Sequence, residues 1–192
     1  MRHGLQSELS CTRFGVQPYP SDPQPDHFYV LDPQPAAIGT SRSQFERQVT
    51  LRVTIPSLVD RGEMVIETSG GVSVLDHERW AAPLADMISG ALSQDIERRR
   101  SDVVVLPKSV DKAGIPLFRI AVEIDQVTAH LADHLSIETH WRLTDARTGK
   151  ETLGRDTFVS PQQPQSYAEI AAAFSACIAL LADRLAAEIP TG

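Results

Sequence analysis

The sequence predicts an α+β fold, a two-layer domain in which a mainly antiparallel β-sheet carries two amphipathic helices packed on one face. Apolar and polar residues alternate over residues 117–127 and 134–143, as in half-buried strands. Two other segments repeat apolar residues every three or four positions, as in helices with one buried face. The predicted elements run strands, helix, strands, helix, and no Gly-rich nucleotide-binding fingerprint occurs. We therefore expect helices and antiparallel strands in separate layers.

The chain divides into a tether and one folded domain. It has 192 residues, and six of its thirteen prolines lie between Pro18 and Pro35. Proline-rich sequence favours an extended polyproline conformation and resists packing. We expect a flexible tether over residues 1–26 and a domain over residues 27–189, opened by a short strand at 27–31.

Three further strands are predicted in the first half of the domain. R-Q-V-T-L-R-V-T-I at 47–55 alternates, and two shorter strands, 63–69 and 72–76, flank Gly70-Gly71 in a hairpin pattern. The segment I-P-S-L-V-D-R-G between the first two strands is predicted to be a turn or a single helical turn.

A first helix is predicted from Pro83 to about Arg99. Proline suits the first helical position, since its missing N–H would be unpaired there in any case. Asp86 lies near the positive start of the helix, and Arg98, Arg99 and Arg100 lie at the negative end, so we interpret the arginine run as a solvated helix terminus rather than an anion site. The apolar residues of this helix share one face: Leu84, Met87, Ile88, Ala91, Leu92 and Ile96.

The two alternating strands of the second half are joined by A-H-L-A-D and form an antiparallel hairpin. Their polar faces limit the register. One register sets Glu123 opposite Arg142 and Asp125 opposite His140, whereas its neighbour sets Asp125 opposite Glu138, two like charges. We predict the first register.

Two more strands, 102–107 and 150–159, and a second helix complete the domain. Ser166 and Glu169 form a capping box at the start of this helix. The helix is predicted to end near Pro190. Its predicted buried stripe consists of Ile170, Phe174, Cys177, Ile178, Leu181 and Leu185.

No catalytic or metal-binding motif occurs in the sequence, which lacks G-x-S-x-G, H-E-x-x-H, C-x-x-C and P-loop patterns. His134 and His140 share a strand face, but at ~3.3 Å per residue they lie about 20 Å apart and do not share a metal. His130 and His134 flank the turn and can approach each other. We interpret the group as a polar outer face and predict no catalytic residue, no cofactor and no metal.

The tryptophans and one cysteine are predicted to belong to the core. Trp80 lies just before the first helix, where its ring can fold over Leu84 and Met87; stacking on a ligand is the alternative. Trp141 lies on the apolar side of its strand. Cys177 lies on the apolar side of the second helix as a small buried side chain.

Charge and hydropathy limit the classes of partner. The net charge of −7 argues against nucleic acid, because phosphate binding needs a basic face. The longest apolar stretch, 170–182, is shorter than the ~20 residues of a membrane span. Asp60 and Arg61 form either a solvated turn with a local ion pair or part of a loop that contacts a partner or another copy of the chain.

Several short motifs occur in a fixed order along the chain. F-Y-V-L at 28–31 precedes I-P-S-L-V-D-R-G-E-M-V-I at 55–66, then E-R-W-A-A-P-L at 78–84 and a helix follow, and a late strand carries W-R-L at 141–143. The ordered set spans about residues 27–188. It resembles the ABC-type transport auxiliary lipoprotein family, the Pqi-type membrane-integrity transporter subunit.

The resemblance implies a domain tethered to the periplasmic side of the outer membrane in Gram-negative bacteria, with a fold similar to the N-terminal domain of TolB-like proteins. Cys11, preceded by L-S, stands where the family carries its acylated cysteine, although no signal sequence is visible in this chain. The implied partners are an MCE-domain subunit and its ABC permease and ATPase, which move lipids across the envelope. A homo-oligomer is left open.

We therefore predict a non-enzymatic auxiliary subunit of an ABC/MCE lipid transport system. It would dock to the MCE-domain subunit and link it to the outer membrane, in support of membrane integrity. The alternative is a stand-alone periplasmic domain that binds a small ligand or lipid in a cleft between sheet and helices. The expected contact residues are Pro56, Leu58, Asp60 and Arg61 in one loop and Arg79, Trp80 and Pro83 before the first helix.

Overall fold

The computed structural model describes residues 24–34, 47–106 and 117–191, so Cys11 and most of the predicted tether lie outside the described residues. Eight strands and two helices follow one another in these ranges. In chain order they are β1 (His27–Tyr29), β2 (Arg47–Thr54), β3 (Glu63–Thr68), β4 (Gly71–Trp80), α1 (Leu84–Arg99), β5 (Val103–Leu106), β6 (Phe118–Ala129), β7 (Leu135–Asp145), β8 (Glu151–Val159) and α2 (Tyr167–Glu188).

The strands form two sheets. A three-stranded sheet has the order β1–β4–β3, and a five-stranded sheet has the order β5–β2–β6–β7–β8. The helices pack against each other and against the larger sheet, α1 on β2 and β5, and α2 on β7 and β8. The predicted α+β class is confirmed, as is the placement of both helices on one face.

Strand pairing is more mixed than the sequence predicted. The longest pairs, β6–β7 and β7–β8, are antiparallel, as is β3–β4. However, β1 runs parallel to β4, and β2 runs parallel to both of its neighbours, β5 and β6. Parallel strands need a crossover connection, and the chain supplies one by running β3, β4 and α1 between β2 and β5.

The register of the β6–β7 hairpin differs from the predicted one. Glu123, predicted opposite Arg142, lies opposite His140, and a β-bulge leaves Asp125 outside the ladder. The Asp125 carboxylate nevertheless contacts Nδ1 of His140. The bulge also places the residue after Asp125 opposite Glu138, so this register carries no like-charge pair there.

The arginine run at the end of α1 is not a solvated terminus, contrary to the prediction. Nη1 of Arg100 donates to the carbonyl oxygens of Ala186, at 2.8 Å, and Ile189, at 2.6 Å, at the end of α2. Arg99 forms an ion pair with Asp183, also on α2. Both arginine side chains are 14% exposed. These contacts tie the ends of the two helices together.

Both helices begin within one residue of their predicted positions. Pro83 is the N-cap of α1 rather than its first residue, and its carbonyl oxygen accepts the first backbone hydrogen bonds of the helix. At α2, Oγ of Ser166 accepts from the N–H of Glu169 at 3.3 Å, as the capping box predicts. The Glu169 carboxylate reaches one residue further back than expected and accepts from the N–H of Gln165 at 2.7 Å.

The second helix is the central element of the core. By length and composition alone α2 could cross a membrane. However, 67% of its 18-residue apolar stretch is buried inside the domain. All six residues of its predicted stripe are buried. The helix therefore uses its hydrophobic surface for packing against the sheet and α1.

Candidate partner-contact surface

The loop between β2 and β3 is a tight turn with one leucine on the outside. The carbonyl oxygen of Pro56 accepts from the N–H groups of Val59 and Asp60, both at 3.0 Å. Val59 is buried and anchors the loop, whereas Leu58 is 53% exposed. The turn thus presents an apolar side chain to solvent at a defined place.

Trp80 holds the end of β4 against this loop. The backbone N–H of Trp80 donates to the carbonyl oxygen of Gly62 at 2.7 Å. Its ring is 6% exposed and meets Phe174 of α2 edge-on, with the ring centroids 6.0 Å apart. The interpretation of Trp80 as a core anchor agrees with this packing, so the residue positions its neighbours and does not itself offer a surface for a partner.

Glu63 joins the two arginines of the predicted contact blocks. Its carboxylate accepts a hydrogen bond from Nη2 of Arg79 at 2.7 Å and lies 3.4 Å from Nε of Arg61. Asp26 adds a second carboxylate, 3.4 Å from Nε of Arg79 and 3.2 Å from Nδ1 of His77. Because these groups are partly exposed, each pair contributes about 1 kcal/mol or less to stability. Their main effect is to hold the arginine side chains in place.

A second hydrogen-bonded group fixes β1 to β4. Oη of Tyr29 donates to Glu78 at 2.5 Å, and Nδ1 of His27 lies 3.1 Å from the other carboxylate oxygen. Burial, followed by the contact with Glu78, raises the pKa of Tyr29 to about 12. Burial also opposes ionisation of Glu78, but the hydrogen bonds from Tyr29 and His27 outweigh it and lower the pKa of Glu78. At neutral pH Tyr29 is therefore a protonated donor and Glu78 an ionised acceptor.

A shallow groove of about 190 Å³ lies beside the loop. Exposed apolar side chains line it, with Leu58 and Val72 each more than half exposed. The groove extends to β6 at and beyond the bulge. Its lining comprises Pro56, Leu58, Val59, Val65, Ile66, Glu67, Val72, Asp125, Gln126, Val127 and Ala129.

The fold thus brings the two predicted blocks together. We call the exposed and partly exposed residues of these blocks, together with Glu63, the contact surface, and define it by Pro56, Leu58, Asp60, Arg61, Glu63, Arg79 and Pro83. Sequence reasoning missed Glu63 and Asp26. Glu63 directly follows the D-R-G motif and could have been noticed as a nearby acid, but Asp26 lies at the predicted end of the tether, where no pattern marks it.

The described histidines lie in ion-pair contacts at the surface, and Cys177 lies in the core. The rings of His130 and His134 approach to 5.5 Å, as predicted, and His130 lies 3.2 Å from Glu67. Within the same ranges no three side chains are placed to hold a metal ion. Cys177 is fully buried, and burial raises the pKa of its thiol to about 12, so at neutral pH it is not a thiolate nucleophile.

Fold and surface together define a small α+β scaffold domain whose contact surface presents arginines and apolar side chains. A model of the family described as the ABC-type transport auxiliary lipoprotein component matches residues 29–186. The chain belongs to this family. Membership makes it an auxiliary component of ABC-type transport and places it among lipoproteins, which are lipid-anchored proteins of the cell envelope.

Solved structures show the same fold at low identity. An uncharacterised protein is 17% identical with a TM-score of 0.71, over 87% of this chain and 100% of its own. Protein XCC0632 from Xanthomonas campestris is also 17% identical, with a TM-score of 0.56, over 83% of this chain and 91% of its own. Among the curated proteins, none matches the sequence.

Proposed function

We propose that this protein is a non-enzymatic auxiliary subunit of an ABC/MCE-type lipid transport system. It docks to the MCE-domain subunit through the contact surface and links that subunit to the outer membrane, on its periplasmic side. Membership in the auxiliary lipoprotein family supports the general role. The docking partner and the membrane are the steps that this proposal adds.

The observation that carries the proposal is the convergence of the two sequence blocks into one ordered surface. Gly62 and Trp80 are joined through their backbones at 2.7 Å, and Glu63 bridges Arg61 and Arg79. Ordered arginines beside exposed apolar side chains are typical of protein interfaces, because their side chains lose little further freedom on binding.

The first described residues lie next to this surface, since Asp26 contacts Arg79 and His77. If Cys11 carries acyl chains, residues 12–26 become the tether; at ~3.1 Å per residue in an extended form they reach about 50 Å. The proposed anchor would then hold the contact surface within that distance of the bilayer, where a partner spanning the periplasm can meet it.

A pull-down from a native envelope fraction tests the proposal. The wild-type protein should recover the MCE-domain subunit or the permease. Leu58→Asp and Arg61→Glu should each reduce recovery about tenfold or more. The first introduces a charge at an apolar contact, and the second reverses the charge of the arginine. Leu180→Asp is the matched control, since Leu180 is 39% exposed on α2, outside the contact surface, and this change should leave recovery unaltered. Recovery of neither transporter subunit by the wild type would overturn the proposal.

The alternative function, a ligand held between the sheet and the helices, finds little support in the described core. The space there, between Trp80, Leu84 and Phe174, amounts to about 10 Å³. That volume is about what one water molecule occupies. A lipid or small ligand would enter this space only by separating the helices from the sheet.

A further inference from the structure

The face of the five-stranded sheet that points away from the helices carries a concavity of about 340 Å³. At its floor β6 carries a small residue between the longer side chains of Arg119 and Glu123 on the same face. Ala121 on β6 is exposed at its floor, and Gly154 on β8 also borders it. The lining residues that decide its chemistry are Arg52, Glu123, His140, Arg142 and Leu153. None of these residues belongs to the contact surface.

Two arginines flank the floor of this concavity. Arg52 lies beside Ala121 on one side, and Arg142 lies beside it on the other. Adjacent strands are about 4.8 Å apart, so the Cα atoms of the two arginines are separated by about 10 Å. Arg142 lies 3.6 Å from Glu151, whereas Arg52 has no ion-pair partner within the described ranges. The space between the two guanidinium groups is therefore suited to an anion.

A carboxylate lies in the same concavity, one step further along β6. Glu123 is exposed and lies between Thr54 and His140 in the ladder. His140 is paired with Asp125, which leaves Glu123 without a cationic partner among the described side chains. At ~3.3 Å per residue its backbone lies about 7 Å from that of Ala121. The concavity thus offers a positive pair and a separate negative group within the length of a small zwitterion.

We propose that this concavity binds a phosphoethanolamine group, with the phosphate between Arg52 and Arg142 and the ammonium at Glu123. Guanidinium groups bind phosphate through two parallel hydrogen bonds, and a carboxylate accepts from an ammonium. A phosphate without an amine fits less well, because Glu123 would repel it. Leu153, 64% exposed at the rim, supplies apolar surface for the remainder of a phospholipid, and we assign the group to a phospholipid headgroup.

The test is a titration of the full-length, ¹⁵N-labelled chain with O-phosphoethanolamine, followed by NMR. The amide signals of Ala121 and Gly154 should shift and saturate, with affinity at least about tenfold higher than for inorganic phosphate. Arg52→Gln and Arg142→Gln should each weaken binding about tenfold or more. Glu123→Gln should abolish the preference over inorganic phosphate.

Arg119→Gln is the control, because Arg119 is exposed on the same sheet face but does not line the concavity. This variant should bind O-phosphoethanolamine with the affinity of the wild type. All four side chains are exposed, and the amide spectra verify that each variant is folded. Absence of a shift at Ala121, or equal binding of phosphate and phosphoethanolamine, overturns the site.

Vesicles distinguish the source of the group. Phosphatidylcholine vesicles containing phosphatidylethanolamine should bind the protein more tightly than vesicles of phosphatidylcholine alone, and Arg52→Gln should remove the difference. Binding of soluble phosphoethanolamine without this difference overturns the assignment to a lipid. Neither experiment requires a transporter subunit, so the outcome is independent of the proposed docking function.

Discussion

The indole ring of Trp141 lies directly against the backbone of Gly154, its partner on β8. A Cβ atom at position 154 would be 2.1 Å from Cζ2 of the ring. Nε1 of the ring donates to Asp156 at 2.7 Å, and the Arg184 guanidinium lies 5.1 Å from the ring centroid. With its edge and one face held in this way, the ring has no room to move, and a glycine is needed beneath it.

Gly154→Ala should therefore destabilise the protein by about 1–3 kcal/mol through overpacking, which thermal or urea unfolding would measure. Gly90→Ala on α1 is the matched control. A Cβ atom at position 90 would have no neighbouring atom within 4 Å, and alanine is a better helix former than glycine. It should leave the melting temperature unchanged or raise it. A wild-type melting temperature for Gly154→Ala would show that the ring can shift.

Trp80→Ala should cost about 3–5 kcal/mol of unfolding free energy, because it removes a buried ring that contacts Phe174 and closes the start of α1. Phe28→Ala on neighbouring β1 removes an aromatic ring that is 64% exposed and should change the stability little. Denaturant unfolding of both variants measures the difference. Equal stability of the two variants would contradict the anchoring role of Trp80.

Arg100→Met should destabilise the protein by about 1–3 kcal/mol, because it leaves the carbonyl oxygens of Ala186 and Ile189 without their charged donor. It also removes the hydrogen bonds that Arg100 donates to the carboxylate of Asp102. Methionine retains much of the apolar stem, so lost hydrogen bonding dominates the effect. Hydrogen exchange should speed up in the last turn of α2 before it does elsewhere. Arg119→Met, at an exposed position on the sheet, should leave both stability and exchange unchanged.

Asp95→Asn should raise the melting temperature at pH 7. Asp95 is fully buried in α1, with Arg99 3.4 Å away, and burial raises the pKa of its carboxyl despite Arg99 and Arg98. A raised folded pKa means that protonation favours folding. This stabilisation is present below the unfolded pKa of about 3.9 and is lost as the pH rises toward the folded value.

Thermal unfolding between acid and neutral pH measures this effect. The advantage of Asp95→Asn should be largest at pH 7 and should shrink toward zero below about pH 4, where the wild-type carboxyl is protonated in both states. Asp183→Asn is the control, because Asp183 is 59% exposed. It should give no gain at pH 7. A lower melting temperature for Asp95→Asn at pH 7 would mean that the ion pair with Arg99 outweighs the cost of burial.

Much of the contact surface was visible in the sequence as two separate blocks. The turn at Pro56 and the proline before α1 have local signals, so their positions could be predicted. That Glu63 connects Arg61 to Arg79 could not be predicted, because it depends on how β3 and β4 pair at their irregular ends. The buried state of Trp80 followed from its chemistry, but its hydrogen bond to Gly62 did not.

The sequence by itself determined the helices, the alternating strands, the caps and the apolar stripes that form the core, because each of these depends on residues a few positions apart. Only the tertiary structure decided the parallel pairing of β2, the bulge at Asp125 and the capping of α2 by Arg100. The parallel pairing and the Arg100 contacts join groups that are distant in the chain. The bulge adds one residue to β6 that has no partner on β7. Periodicity cannot encode such choices, since they are settled by which distant surfaces and charges meet when the chain closes on itself.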